Sequence, residues 1–469
     1  MPPFVQTIEQ AEKLKQSGIF WFTSLVLPIL ITILWASYPF PTFLMLLGIP
    51  LFLLCLFDFR LSLYVFIASW FFYYRLFPNS GIQVADFMLV VVILSYLSRS
   101  ALNGTLNLKR TPLDKAIFLF LLVLALSLIN ATNLLVGLRN YFRHIQLFTL
   151  FYVVANGVEK EDVVRYLKFF LFLAVLNSFY VITLFIAAGG SVRAFGLAHV
   201  PFANIVVAAL MICYSFYIYQ ENTKDKIKFG LLFFILVFAL LATYTRSALL
   251  YFVIGYLLLT AISLGKAKIY KHLAKNIGYV IIMLFLAAGV LFPIFGSYSQ
   301  GLSHKMYTAV KPMDTIQIRL YLIRLAWQAF LHRPVLGIGL AQFTVISSIF
   351  PKLRFDPIYM LTLEGINAHE LTFSYLAETG MLGLICLYYL IFSCLKLGWT
   401  NYKHSLKQES LVISLALLGA IVAGQWSFTS INGMQFMFFL GLSVVWYRNS
   451  TFLSKPNNAQ SQPSEQVVS

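Results

Sequence analysis

Charge is the scarcest commodity in this 469-residue chain. Asp, Glu, Lys and Arg together make up 11% of it, while 60% is hydrophobic. A soluble domain carries about a quarter charged residues, so a soluble globular enzyme is excluded. Acidic residues are scarcer still, 17 against 34 basic ones. Cysteine is limited to Cys55, Cys213, Cys386 and Cys394, all inside apolar runs and none at metal-ligand spacing. That excludes a disulfide framework and a zinc site, and the four read as small hydrophobes. No GxxxxGK or strand-flanked glycine fingerprint is present, so a nucleotide loop is excluded as well. The apolar runs do not alternate with polar residues, which argues against a membrane β-barrel.

What the chain does have is apolar runs, many of them of roughly 17–25 residues, the length that spans a bilayer as a helix. They lie at about 19–37, 40–57, 61–78, 84–98, 116–131, 143–157, 166–188, 200–219, 229–244, 247–264, 277–295, 371–395, 410–425 and 432–447. The expected fold class is therefore all-α, a polytopic membrane protein of about 12–14 transmembrane helices. One long loop, 296–370, is expected to face outward and to contain amphipathic helices. Residues 1–18 are polar and mixed in charge, with no cleavage site after the first apolar run, and read as a cytoplasmic segment rather than a secretory signal. Residues 19–188 form an N-terminal transmembrane bundle and 189–447 a second membrane region. The Ser-, Gln-, Pro- and Asn-rich tail, 448–469, reads as disordered and cytoplasmic.

Net charge +17 does not point to nucleic acid. Basic residues in short loops set membrane orientation, and alternation from a cytoplasmic N-terminus puts the lysine clusters inside. These are Lys109/Lys115, Lys160/Lys168, Lys224/Lys226/Lys228, Lys266/Lys268/Lys271/Lys275 and Lys396/Lys403/Lys407. A second asymmetry accompanies the first. The inside segments hold seventeen lysines and five arginines, the outside segments three lysines and nine arginines. Orientation does not require arginine outside. Arginine keeps its charge when desolvated and grips phosphate or carboxylate through a planar fork. The outer face thus reads as built to hold an anion, with snorkelling to lipid headgroups as the plainer alternative.

Four residues stand out there. Asp314 and Thr315 can cap a helix that runs to His332 and stops at Pro334. On its wheel Gln317, Tyr321, Arg324, Gln328 and His332 form a polar stripe. Arg319 falls in the middle of the opposite face, among Ile316, Ile323, Ala326, Trp327 and Phe330. Such a helix suits the outer membrane surface. Desolvating Arg319 there costs on the order of 3 kcal/mol unless an anion offsets it. Arg246 sits in the short turn of TYTRSALL, among Thr243, Thr245 and Ser247. Arg193 sits in GGSVRAFGLAHVPFAN, where exposed backbone N–H groups suit phosphate, or simply form a flexible turn. His369 ends the long loop beside Glu370, with Glu378 about two turns on. It is placed to act as a general base, or to be an idle interfacial histidine. Glu378 would orient His369 or pair with an arginine. Arg139, Arg143 and His144 form a basic cluster near an outer boundary, and Asp86 and Asp114 read as anchors. Gly337 and Gly339 read as a turn, and Gly380 and Gly383 as sites of close helix packing.

Four patches in order resemble the O-antigen ligase and polymerase superfamily of bacterial membrane glycosyltransferases. RAFGLAHVPFAN supplies Arg193, Gly196 and Asn204; TYTRSALL supplies Arg246. IRLYLIRLAWQAFLHRPVLGIGLAQF supplies Arg319, Gly337, Gly339 and Phe343, and AHELTFSYLAETGMLG supplies His369, Glu378 and Gly380. The resemblance spans about residues 190–395. It departs at Glu370, where the family usually has Asn after the His. It implies transfer of a glycan from a polyprenyl-diphosphate carrier to an acceptor hydroxyl on a glycan or lipid. The site would lie at the outer, periplasmic face of the bacterial cytoplasmic membrane. Arg193, Arg246 and Arg319 would hold the diphosphate and His369 would act as base, with Glu378, Glu370 and Asn204 supporting. No metal and no cofactor is expected; the partners are the lipid-linked donor, the acceptor and membrane lipids, not nucleic acid. A polymerase of the same superfamily and a bicarbonate transporter are the rival readings.

Overall fold

The computed structural model describes residues 48, 50–72, 83–104, 108–189, 194, 196–197, 202–220, 222–264, 315–345, 355–356, 361–362, 371–404 and 433–452. The apolar runs at 19–37, 277–295 and 410–425, and the terminal segments, lie outside these residues, as does half of 40–57.

The described chain is helical almost throughout. In order come α1 (Phe59–Ser69), α2 (Val84–Leu102), α3 (Asp114–Ser127), α4 (Leu134–Gly157), α5 (Lys160–Ala187), α6 (Phe202–Tyr219) and α7 (Thr223–Ala242). Then follow α8 (Arg246–Leu264), α9 (Thr315–His332), α10 (Leu371–His404) and α11 (Met434–Phe452). A two-residue antiparallel pairing, β1 (Phe355–Asp356) with β2 (Leu361–Thr362), lies in the long loop between α9 and α10. Helices α2, α5 and α10 are each long and apolar enough to cross a membrane, and α1, α6 and α8 are shorter apolar helices. Helices dominate because a backbone in hydrocarbon must satisfy its own hydrogen bonds. The chain is an all-α polytopic membrane protein.

Helix α11 is the hub. It packs against α4, α5 and α10, and is buried almost all round from Met434 to Trp446, as expected of a helix with no polar face. Aromatic rings fill the space around it. Trp70 meets Phe66 and Phe438 edge-on at centroid distances of 5.1 and 5.4 Å. The remaining helices add on by a sequential hairpin, α6 against α7, and by non-consecutive packing of α7 against α5 and α10 against α3.

The two ends of the bundle differ in chemistry. At the lysine-rich end, Arg60 pairs with Glu159 and Asp162, and Arg165 with Asp162. Arg448 closes this end: one guanidinium nitrogen donates to Ala155 O at 2.6 Å and the other to Lys109 O at 2.7 Å. It therefore belongs to a helix that continues to Phe452, not to the tail that the sequence reading began at 448.

Two further sequence expectations are corrected. The segment 132–142, which falls between the expected spans 116–131 and 143–157, is helix from Leu134. Asn133 caps it by accepting Val136 N–H at 3.2 Å, and Leu134 and Leu135 are exposed, so hydropathy alone gave no start signal. The basic cluster Arg139/Arg143/His144 separates on that helix: Arg139 and Arg143, four residues apart, share a face, while His144 lies about 100° from Arg143 and turns inward. Arg139 is exposed, Arg143 pairs with Asp86, and His144 is buried.

Candidate functional site

Helix α9, in the long loop, covers Thr315–His332, the bounds expected from its capping residues and Pro334. It docks on α10 rather than lying alone. Its buried face differs from the expected one. Leu322, Leu325, Ala326, Ala329 and Phe330 are buried, while Trp327 is 46% exposed. The stripe is rotated because α9 has more apolar residues than one face can hold, and docking on Ala377, Ile338 and Phe343 selects among them. The helical register puts position 319 in line with Ala326, toward one edge of the buried face rather than at its centre.

Below α9 the chain makes its most elaborate junction. Helix α10 is broken at Gly380, whose φ of 66° and ψ of −164° no L-residue adopts comfortably. The loop after α9 supplies the hydrogen bonds that the break removes. Ile338 N–H and Gly339 N–H donate to Ala377 O and Glu378 O at 2.9 and 3.0 Å, and Met381 N–H donates to Pro334 O at 2.9 Å. Gly337, also at positive φ, completes this backbone-on-backbone contact. A Cβ there would stand 2.3 Å from the Glu378 carbonyl carbon. The turn expected at Gly337 and the close packing expected at Gly380 are thus two sides of one contact.

Side chains lock the junction. The buried Glu378 carboxylate accepts Ala341 N–H at 2.9 Å through Oε2 and Phe343 N–H at 3.2 Å through Oε1. Its employment is thus with backbone amides, a role the sequence reading, which offered His369 or an arginine, did not anticipate. Gln342 is fully buried and clasps Asn133, accepting its N–H at 2.8 Å and donating to its carbonyl at 3.0 Å. Asn130 donates to Gly337 O at 2.9 Å and accepts from Arg333. On the far side of α10, His144 donates from Nδ1 to Asn140 O at 2.8 Å. That leaves Nε2 to accept from the Tyr375 hydroxyl at 2.9 Å. The upper part of α10, Leu371–Thr379, is held from both sides.

A second junction lies around the α7–α8 turn. Ala194 N–H donates to Ala242 O, the last residue of α7, at 3.2 Å. Leu197 N–H donates to Asn177 Oδ1 at 3.2 Å. Asn177 sits ten residues before the end of α5, or about 15 Å along a helix. Helix α5 therefore overshoots, and the chain after it folds back to the level of the α7–α8 turn. That turn is tight: Tyr244 has φ 49°, and Thr243 spans it by accepting Thr245 N–H at 3.3 Å. Helix α8 then begins at Arg246 itself, so the free backbone N–H groups of a helix N-terminus start at that residue.

Of the sequence-predicted site residues, Arg193, His369 and Glu370 lie outside the described residues. The side chains of Arg246 and Arg319 do so as well, although their backbones are helical. Asn204 is partly buried in the first turn of α6. Asn130, Asn133, Gln342, Tyr375 and Asn177 were not singled out from sequence. A polar residue inside an apolar run, as Asn177 is, was the available signal.

An all-α membrane bundle with one end built of interlocked polar loops and helix N-termini is the class that these observations define. Residues 231–388 match the family model described as O-antigen ligase, which supports the resemblance of that region to the O-antigen ligase superfamily. The match contains Arg246, Arg319, His369, Glu378 and the whole Gly337–Gly380 junction, and begins after Arg193 and Asn204. No curated protein matches the chain.

Proposed function

We propose that this protein is a glycosyltransferase that moves a glycan from a polyprenyl diphosphate to an acceptor hydroxyl at the outer face of the cytoplasmic membrane. The observation that carries the reading is the hydrogen bond between Ala194 and Ala242. It ties Ala194, the residue after Arg193 in sequence, to the last residue of α7, four residues before Arg246. The positive-inside rule, applied to the lysine-rich end, orients this contact outward.

In this reading Arg193, Arg246 and Arg319 hold the diphosphate by paired N–H donors, aided by the N-terminus of α8. His369 precedes α10 by two residues, so chain reach alone keeps its Cα within about 7 Å of that of Leu371. It takes the acceptor's proton. The acceptor oxygen attacks the anomeric carbon from the face opposite the leaving group, and the new C–O bond forms with inversion. The bond to the diphosphate breaks, and its electron pair leaves with the diphosphate, where the arginines stabilise the growing charge. The arginines supply the charge that a metal would otherwise bring.

The test is transfer by the purified full-length protein from a polyprenyl-diphosphate glycan, with Arg319→Ala and His369→Ala as controls. Transfer that depends on both residues supports the reading. Undiminished transfer by His369→Ala removes the general base, and no transfer to either a lipid or a second carrier-linked glycan removes the reaction.

A further inference from the structure

We infer that Asn177 is a positioning residue of the anion site, holding the turn after Arg193 at the depth of the α7–α8 turn; this rests on the function proposed above. Asn177 lies in α5, outside the family match and outside every patch of the sequence that pointed to function.

The geometry is specific on both sides of the contact. Leu197 N–H needs an acceptor, which fixes the amide with Oδ1 toward the turn. Gly196 lies so close that a Cβ there would stand 2.5 Å from Asn177 Oδ1 and 2.9 Å from Val181 Cγ2. The glycine of the turn is therefore matched to the asparagine of the helix. The Ala194–Ala242 bond fastens the same turn to α7, so Ala194 is buried between the two tethers.

The other half of the amide makes the case sharper. Asn177 is only 5% exposed, and among the described residues its Nδ2 has no hydrogen-bond partner. A buried donor left unsatisfied destabilises a fold, and more so within a membrane, where water cannot reach it. Leucine has nearly the same shape and carries no such burden. An asparagine at this position thus works against stability, and the bond it does make falls on the segment that leads from Arg193 to α6. Its contribution is to placement.

The prediction is a split between stability and placement. Asn177→Leu should leave the unfolding temperature unchanged or raise it, while releasing the turn. Release is read without any reaction. Ala194→Cys, in full-length protein with the four native cysteines replaced by alanine, is buried and should react slowly with a water-soluble maleimide. Adding Asn177→Leu should speed that reaction about tenfold or more, and Gly196→Ala should do the same. The two together should add little, because they break one contact. Binding of a short polyprenyl diphosphate should weaken about tenfold in either single variant. Unchanged cysteine reactivity in both overturns the inference, whatever the protein's activity. Faster reactivity with undiminished diphosphate binding also overturns it, by separating the turn from the site. If the parent protein binds no diphosphate while the turn is released as expected, the proposed function fails and the tether alone survives.

Discussion

The carboxylate of Glu378, on the last turn of α10 before its break, accepts the backbone N–H of Ala341 at 2.9 Å across the loop that follows α9. Its second oxygen takes Phe343 N–H, so one side chain satisfies two buried amides of an irregular segment. Such amides have no helix or strand partner of their own, and leaving each one unmet costs about 1–3 kcal/mol. Glu378→Ala should therefore lower stability by roughly 2–6 kcal/mol, as two orphaned donors imply. Glu378→Gln keeps one acceptor oxygen and should lose about half as much. Thermal unfolding of the full-length protein in lipid nanodiscs checks both, and equal effects of the two variants would count against the paired-acceptor role.

The break in α10 depends on Gly380 and its partner Gly337. A Cβ on Gly380 would stand 2.4 Å from Val335 C and O, and its φ of 66° is itself unfavourable for alanine. Gly380→Ala should cost at least about 2 kcal/mol, the sum of left-handed backbone strain and overpacking. Gly337→Ala meets the Glu378 backbone and should cost a similar amount. The pair should be strongly non-additive, since either one alone opens the same contact. Additive losses in unfolding measurements would show two separate contacts instead.

Gln342 ties the loop after α9 to Asn133, at the start of α4. Gln342→Leu removes both of its hydrogen bonds to the backbone of Asn133, which is exposed enough for water to replace them in part, and a loss of about 1–3 kcal/mol is expected. The released segment should also show faster amide hydrogen exchange around residues 131–134 and 337–343. Exchange confined to one of the two segments would contradict the clasp.

For activity, Arg246→Lys keeps the charge and loses the fork. A fall in kcat/KM of about 10–100-fold is expected if the arginine binds a diphosphate through paired bonds. Arg319→Ala should fall by about 100–1,000-fold, the range for losing a group that stabilises transition-state charge. A chelator should leave transfer unchanged in the parent protein. Steady-state assays with a fixed acceptor check all three, and full activity in Arg246→Lys would assign Arg246 to bulk electrostatics.

The helices themselves were legible because hydrocarbon imposes a simple rule, in which a long apolar run must be helix. The expected runs at 84–98, 166–188, 200–219 and 247–264 correspond to α2, α5, α6 and α8 within a few residues at most ends. The ends of α9 were legible too, because proline and capping chemistry act locally. The start of α4 was not. Exposed leucines and Arg139 made 134–142 look like a turn, and only Asn133 as a cap marks the beginning. The buried face of α9 was also misjudged, since Leu320, Trp327 and Leu331 are as apolar as the residues that α10 covers.

By itself, then, the sequence determined a helical membrane protein, the polarity of its two ends, and the arginines and histidine that merit attention. Those properties follow from hydropathy and charge, which each residue carries wherever it lies. Tertiary structure alone decided that Gly337 faces Gly380, that Glu378 serves the amides of Ala341 and Phe343, and that Ala194 lies against Ala242. These are hydrogen bonds between segments tens of residues apart. Which donor meets which acceptor depends on how helices overshoot, break and dock, and no local pattern encodes that.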